Sequence, residues 1–134
     1  MKIKWIDAIE AKQAQEFFDL YSKEWWTEGR QFDDVMQMLE NSDLFIGCLA
    51  SDGSLIGFAR VLSDFTYKAL IFDVIVSTDY RGQGIGKQII HRIINHKSLH
   101  KVSSFELYCP DNMIPFYQSL GFDKGISNIL FKTR

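Results

Sequence analysis

The stretch that decides the fold is Arg81-Gly82-Gln83-Gly84-Ile85-Gly86, which stands between an apolar run and a helical pattern. The run IFDVIV at 71–76 precedes it, and isoleucines at 85, 89, 90, 93 and 94 follow with helical spacing. A strand, a glycine-rich turn and a helix N-terminus form an anion site, because the first amides of a helix have no intrahelical partner. Arg81 and Lys87 add positive charge, so we expect a phosphorylated cofactor to bind at this turn.

Two other phosphate-binding loops fit this stretch poorly. A P-loop requires a glycine, four residues and then Gly-Lys-Ser/Thr, but here Arg81 takes the first position and Gln88 follows Lys87. A dinucleotide fingerprint has glycines at its first, third and sixth positions, and counting from Gly82 the sixth position is Lys87. The spacing therefore disfavours a nucleoside triphosphate or a dinucleotide as the ligand.

The stretch does resemble the acetyl-coenzyme A pyrophosphate loop of the GNAT N-acetyltransferase superfamily, Arg/Gln-x-x-Gly-x-Gly/Ala, through Arg81, Gly84 and Gly86. A second segment, FYQSLGF at 116–122, is similar to the C-terminal fYxxxGF signature of that family and lies roughly thirty residues downstream. The resemblance extends from Leu44 to Phe131, about two thirds of the chain. The two motifs in this order identify the chain as a member of the superfamily.

The resemblance implies an α/β (α+β) GNAT fold in a single domain over 1–134. Its central sheet is expected to be mixed and mostly antiparallel, with six to seven strands, splayed central strands and about four flanking helices. The residue pattern predicts helices around 14–21, 32–39 and 85–96, and a short one ending at Gly121. It predicts these strands: Lys2 to Ile6, Leu44 to Ala50, Leu55 to Leu62, Ala69 to Val76, Val102 to Tyr108 and Ile126 to Lys132.

Composition bounds the class of protein. The 134 residues are 46% hydrophobic and 24% charged, which is typical of a globular domain with a real core. The net charge of −2 gives no electrostatic case for nucleic acid or an anionic membrane as the partner. No apolar run approaches the ~20 residues of a membrane span, and the N-terminus has no signal-peptide core. With two cysteines interpreted as reduced thiols, we expect a cytoplasmic protein.

The resemblance also implies acetyl-coenzyme A as co-substrate, without a metal. The thioester would lie between the strand that ends at Val76 and the strand that ends at Tyr108. Backbone groups of the first strand would bind the pantetheine arm and polarise the thioester carbonyl. The family's asparagine upstream of the signature tyrosine is replaced here by Pro110, with an asparagine offset by two residues. The expected cofactor-binding residues are Val74, Ile75, Val76, Arg81, Gly82, Gln83, Gly84, Ile85, Gly86, Lys87 and Asn112.

Tyr117 and Asp73 are the leading candidates for catalysis. Tyr117 matches the family's tyrosine, which implies that it protonates the departing coenzyme A thiolate, although it could merely pack the helix. Asp73 is a carboxylate within an apolar strand, so it is either a general base with an altered pKa or a structural residue held by backbone amides or a basic side chain. Glu106 is a second candidate base, with a solvated surface role as its alternative, and a water relay is also open.

The acceptor site is expected at four aromatic side chains. In the resembling family the loop between the first two helices covers the acceptor, which points to Trp25, Trp26 and Phe32, while Tyr67 belongs to a second candidate wall. Glu28 in the same loop could meet a cationic amine, or simply be solvated. The spacing of His96 and His100 suits a metal, but the sequence offers no third ligand, so we predict no metal site.

The sequence therefore predicts an N-acetyltransferase that acts on a primary amine, with a small molecule favoured as acceptor. The alternatives are acetylation of a protein or peptide, and a non-catalytic module that binds acetyl-coenzyme A to regulate a partner. An enzyme of charged transfer RNA would need a basic face that the net charge does not indicate. Members of the family frequently pair through sheet edges or the C-terminal strand, which leaves a homodimer open.

Overall fold

The computed structural model describes residues 2–134 and shows a mixed α/β architecture. The five strands are β1 (Lys4–Ile6), β2 (Leu44–Leu49), β3 (Leu55–Ser63), β4 (Lys68–Val76) and β5 (Ser104–Leu107). The four α-helices are α1 (Ala14–Tyr21), α2 (Phe32–Glu40), α3 (Ile85–Ile94) and α4 (Ile114–Ser119). The strands form one sheet in the order β1-β2-β3-β4-β5, in which only β4 and β5 run parallel. The fold class predicted from the sequence is confirmed, with five strands in place of six to seven.

The sheet separates two hydrophobic cores. Successive side chains of a strand point to opposite faces, so neighbours such as Phe45 and Ile46 enter different cores. Isoleucines of α3 and Tyr117 of α4 pack in the core of one face, while Phe17 and its neighbours on α1 and α2 pack in the other. Burial on both faces explains why β2 and β3 appear in the sequence as continuous apolar runs.

The predicted strand over residues 126–132 does not form. Residues 120–134 contain neither a helix nor a strand, and Ile126, Leu130 and Phe131 are 104%, 92% and 84% exposed. Strand patterning in a sequence cannot supply a partner, and a strand is stable only when it pairs with a neighbouring edge. Within residues 2–134 nothing pairs with this segment, which accounts for the lower strand count.

β4 and β5 pair over only part of their length. Their parallel register runs from Lys68 opposite Ser104 to Ile71 opposite Leu107, where β5 ends. β4 continues for five more residues, paired on its other edge with β3. Among the described residues, the edge of β4 beyond Ile71 therefore has no strand partner, and the sheet opens there.

Within residues 2–134 no helix is both long and apolar enough to cross a membrane.

Candidate active site

The glycine turn connects β4 to α3 and leaves a cradle of backbone amides. β4 ends at Val76, a 3-10 turn covers Thr78–Tyr80, and α3 begins at Ile85 with Gly84 as its N-cap residue. Gly82 and Gly84 have φ angles of +78° and +81°, a left-handed conformation that glycine adopts without a steric cost. No side chain caps α3, so its first amides remain available to an anion.

Space around the turn fits a phosphate group. A Cβ atom built on Gly82 or Gly84 would meet no heavy atom within 4 Å. The two glycines therefore border open space, next to the positive end of the α3 dipole. The exposed Lys87 lies in the first turn of the same helix. These features suit an anion such as the pyrophosphate of coenzyme A, and its binding at this turn stays a prediction.

Gly86 lies within α3 and faces α4. A Cβ atom there would lie 3.4 Å from Cζ of Phe116 and 4.0 Å from Cγ2 of Val76, which are ordinary van der Waals distances. The two sequence motifs therefore meet in space at this residue. Gly82 and Gly84 border open space instead, and the backbone of Gly86 stays a predicted cofactor contact.

The remaining predicted cofactor residues divide into two groups by exposure. Ile75 and Ile85 are both 2% exposed, so only their backbone atoms could reach a ligand. Val74 and Val76 are half-buried and pack against the α3 core. Residues with free side chains are at the surface: Gln83, Lys87 and Asn112 are exposed.

Arg81 is held by contacts on both of its sides. Its Nε donates a hydrogen bond to the Val76 carbonyl oxygen at 3.0 Å, and its Nη2 lies 3.0 Å from Oε1 of Glu24. Glu24 belongs to the connection between α1 and α2, and sequence reasoning missed it. A separation of 57 residues carries no local signal for such a pair.

Tyr117 is almost fully buried beside the glycine helix. It is 8% exposed and makes edge contacts with Phe116 and Phe122, at ring-centroid distances of 5.0 and 5.9 Å. Burial raises the pKa of Tyr117 to about 12, and the nearby Cys109 contributes in the same direction. The phenol is therefore protonated at neutral pH, as a proton donor must be.

Tyr117→Phe is expected to lower turnover by about 10²-fold, the usual effect of losing a general acid. Coenzyme A affinity should remain unchanged, because the ring stays in the same packing. The wild-type rate should show no loss from deprotonation of this phenol until the pH approaches its pKa of about 12. Steady-state rates and calorimetry measure both effects, with Tyr80→Phe as a control. Wild-type turnover in Tyr117→Phe would reduce the residue to a packing role.

Asp73 occupies a bulge in β4. The register with β3 shifts by one residue between Phe58 and Arg60, and Asp73 has a φ angle of +55°. Positive φ is tolerated by aspartate better than by most residues, although it carries strain. The extra residue bends β4 at the place where it leaves β5.

Both oxygens of Asp73 accept hydrogen bonds. Nε of Arg60 donates to Oδ2 at 2.6 Å, and Nε1 of Trp26 donates to Oδ1 at 3.1 Å. The Arg60 and Asp73 side chains are only 13% and 6% exposed. This geometry favours the structural interpretation of Asp73, in which a basic side chain holds the carboxylate. The general-base role stays a prediction.

Arg60 was missed in the sequence, although a signal existed. It is a single charge in an apolar strand, and it stands about as far before the hairpin between β3 and β4 as Asp73 stands after it. Two opposite charges placed symmetrically about a hairpin become neighbours when its strands pair.

Arg60 also lies over the ring of Phe72, at 4.7 Å from its centroid. Phe72 in turn meets Tyr108 edge to face at 5.8 Å, which forms an aromatic side of the opening between β4 and β5.

The loop between α1 and α2 contributes two tryptophans. Trp25 and Trp26 meet edge to face at 5.7 Å, and they are 74% and 38% exposed. The bond from Trp26 to Asp73 fixes this pair next to the bulge. Phe32 is half-buried and packs against Phe18 at 5.4 Å, so it joins the two helices. The loop thus presents an aromatic wall, formed by Trp25 and Trp26, near the open edge of β4.

The structure does not bring Tyr67 and Glu106 to this wall. Tyr67 precedes the first residue of β4, and six residues of extended chain, roughly 20 Å, separate it from Asp73. Glu106 pairs with Lys68 at 2.9 Å at that same far end of the strand, where both side chains are exposed. This is the surface role that the sequence left open for Glu106.

No histidine cluster forms. His96 accepts a hydrogen bond from the Ser98 amide at 3.1 Å, and the ring of His100 lies 2.9 Å from the Lys97 carbonyl oxygen. Within residues 2–134 there is no group of three histidine, cysteine, aspartate or glutamate side chains that could hold a metal ion. Cys48 is buried and Cys109 half-buried, and both are free thiols.

Comparison with known proteins places this arrangement in a family. The model of the acetyltransferase (GNAT) family matches residues 6–122, which include the glycine turn, the bulge and Tyr117. The chain belongs to the GNAT acetyltransferase family. Members of this family use acetyl-coenzyme A.

Three curated relatives and one solved structure show the range of this family. The chain is 34% identical over 98 residues to uncharacterized N-acetyltransferase ycf52 of Pyropia yezoensis, covering 71% of this chain and 56% of that protein. It is 38% identical over 69 residues to histone acetyltransferase TAP1 of Glycine max, covering 52% and 28%. It is 30% identical over 96 residues to the chloroplastic serotonin N-acetyltransferase 2 of Oryza sativa subsp. japonica, covering 69% and 48%. The structure of AAC(6')-Iy with a bisubstrate analogue has a TM-score of 0.79 at 19% identity, covering 100% and 99%.

The curated relatives and the solved structure are matched over different shares of their own lengths. The chain spans about half of the first of these relatives and a smaller part of the other two. The solved GNAT structure is matched over nearly its whole length, at an identity that shows the fold alone.

Proposed function

We propose that the protein transfers the acetyl group of acetyl-coenzyme A to the primary amine of a small molecule, by direct attack in a ternary complex. The observation that carries this proposal is that one strand, β4, provides both parts of the site. Its end leads into the glycine cradle, and its edge beyond Ile71 is open beside the aromatic wall. A cofactor anchored at the cradle would therefore extend along the open edge toward Trp25 and Trp26.

The chain's own groups fit the chemistry of acetyl transfer. The thioester supplies an electrophilic carbonyl carbon, to which the amine nitrogen bonds as the bond to sulfur breaks. Amides on the open edge of β4 would donate to the carbonyl oxygen, and one such donor contributes ~3–4 kcal/mol in measured cases. Tyr117, which is protonated at neutral pH, would donate a hydrogen bond to the departing sulfur and supply its proton as the bond from sulfur to the acetyl carbon breaks.

The amine must lose a proton before or during the attack, because a lysine-like amine has a pKa of ~10.4. Each oxygen of Asp73 already accepts one hydrogen bond, from Arg60 and from Trp26 respectively, and Arg60 also neutralises its charge. We infer that water in the opening between β4 and β5 accepts this proton.

A small amine is favoured over a protein acceptor by the aromatic wall. The two indoles meet edge to face and are both exposed, so they provide apolar ring surfaces of the kind that line the binding sites of small ligands. The relatives include a serotonin and a histone acetyltransferase by name, so acetylation of a protein amine is the second candidate. Pairing of two copies, a single domain and a cytoplasmic location stay predictions.

The direct test is release of thiol from acetyl-coenzyme A in the presence of different amines. The panel contains polyamines, amino acids, aminoglycosides, arylalkylamines and short peptides, including a histone-tail peptide. We expect turnover with one class of small amine. Turnover with peptides alone would favour the second candidate. Tight acetyl-coenzyme A binding without turnover on any amine would favour the non-catalytic module.

A further inference from the structure

Glu24 connects the acceptor wall to the cofactor cradle through a single ion pair. Its Oε1 lies 3.0 Å from Nη2 of Arg81, and Nε of Arg81 is bonded to the Val76 carbonyl oxygen. The guanidinium therefore has one partner in β4 and one in the loop that carries Trp25. Arg81 belongs to the turn proposed to hold the pyrophosphate, so a bound cofactor would compete with Glu24 for the same cation.

Glu24 is held on a rigid turn. Its carbonyl oxygen accepts bonds from the Thr27 hydroxyl at 2.8 Å and from the Thr27 amide at 3.2 Å. Thr27 is 2% exposed, and its single hydroxyl proton is shared between the Glu24 carbonyl oxygen and the Tyr21 carbonyl oxygen, which lies 2.7 Å away. The Glu24 side chain is only 17% exposed. A carboxylate with so little hydration is costly to leave without a partner.

We propose that Glu24 selects a positively charged acceptor, and that Arg81 neutralises it until coenzyme A binds. This inference rests on the proposed acetyl transfer. A diphosphate carries more charge than one carboxylate and forms strong hydrogen bonds with arginine, so it draws the guanidinium away from Glu24. The freed carboxylate belongs to the residue that directly precedes Trp25, whose indole is exposed. A carboxylate beside an open aromatic face binds cations, and an amine arrives at neutral pH as an ammonium ion.

Cofactor and acceptor are coupled by this arrangement. Binding of either ligand breaks the ion pair between Arg81 and Glu24. The ligand that binds second therefore does not have to break it. Each ligand therefore raises the affinity for the other by the same factor. Because the Arg81 side chain is 55% exposed, we expect a factor of roughly two to five, the range of an exposed ion pair.

Calorimetry with coenzyme A tests the competition. Glu24→Gln should bind coenzyme A about two to five times more tightly than the wild type, because Arg81 is then free. Glu28→Gln is the matched control: it removes the same charge from the same loop, and Glu28 is exposed without an ion pair or side-chain hydrogen bond in residues 2–134. Equal or weaker binding by Glu24→Gln than by Glu28→Gln overturns the inference. Failure of the wild type to bind coenzyme A would instead count against the proposed function.

Tryptophan fluorescence with spermidine as a cationic probe tests the selection of charge. In the wild type and in Glu28→Gln, the spermidine concentration at half-maximal change should fall about two- to fivefold when coenzyme A is present. In Glu24→Gln the spermidine concentration at half-maximal change should be the same with and without coenzyme A. A wild type without this dependence, or a dependence retained in Glu24→Gln, overturns the inference.

Discussion

Gly84→Asp is expected to weaken coenzyme A binding by ~10²-fold or more. The new carboxylate would enter the open space beside the first amides of α3, where the pyrophosphate has to lie. Placing like charges against each other in a binding interface costs several kcal/mol. Isothermal calorimetry with coenzyme A measures the change directly, without the need for an acceptor.

Gly53→Asp is the matched control for this substitution. Gly53 has a φ angle of +86°, close to the +81° of Gly84, and a Cβ atom at either glycine meets nothing within 4 Å. Both variants therefore carry the same backbone strain and the same new charge, but Gly53 lies in the hairpin between β2 and β3. Thermal unfolding should show similar small losses for both. Equal coenzyme A affinity in the two variants would refute the assignment of the glycine turn as the phosphate cradle.

Asp73→Asn is expected to lower the free energy of unfolding by about 3–5 kcal/mol, since it leaves the Arg60 guanidinium buried without its counter-charge. Asparagine keeps the size of the side chain, tolerates the positive φ of the bulge and can still accept a bond from Trp26. Urea denaturation measures the loss. The double variant Arg60→Met with Asp73→Asn should recover more than half of it, because the unpaired charge is gone.

Glu106→Gln provides the comparison for a surface pair. It breaks the exposed pair with Lys68 of β4 and should leave the free energy of unfolding almost unchanged, because water screens this pair. Unchanged stability in Asp73→Asn would show that the buried pair does not hold the bulge. If Asp73→Asn had the stability of the wild type but lost turnover, the result would favour Asp73 as the general base.

The predictable part of the candidate site is the part formed by consecutive residues. Residues 81–86 determine the anion turn because glycine, and no other residue type, adopts positive φ freely, and because the apolar patterns on either side determine a strand and a helix. Residues 116–122 likewise indicated a short helix that carries a buried tyrosine. These features depend on local conformation, which the order of residues along the chain determines.

What the tertiary structure decided are the contacts between distant residues. The partner of Asp73, the partner of Arg81 and the packing of Gly86 against Phe116 all depend on how elements approach each other in space. The number of strands was also decided there, since the segment at 126–132 has strand-like residues but pairs with no strand in the described chain. The sequence by itself determined the family, the glycine turn and the helices and strands other than the predicted last strand. The ion pairs around the cleft could be identified only in the folded chain, because the packing of distant elements, and not the order of residues, determines which side chains are in contact.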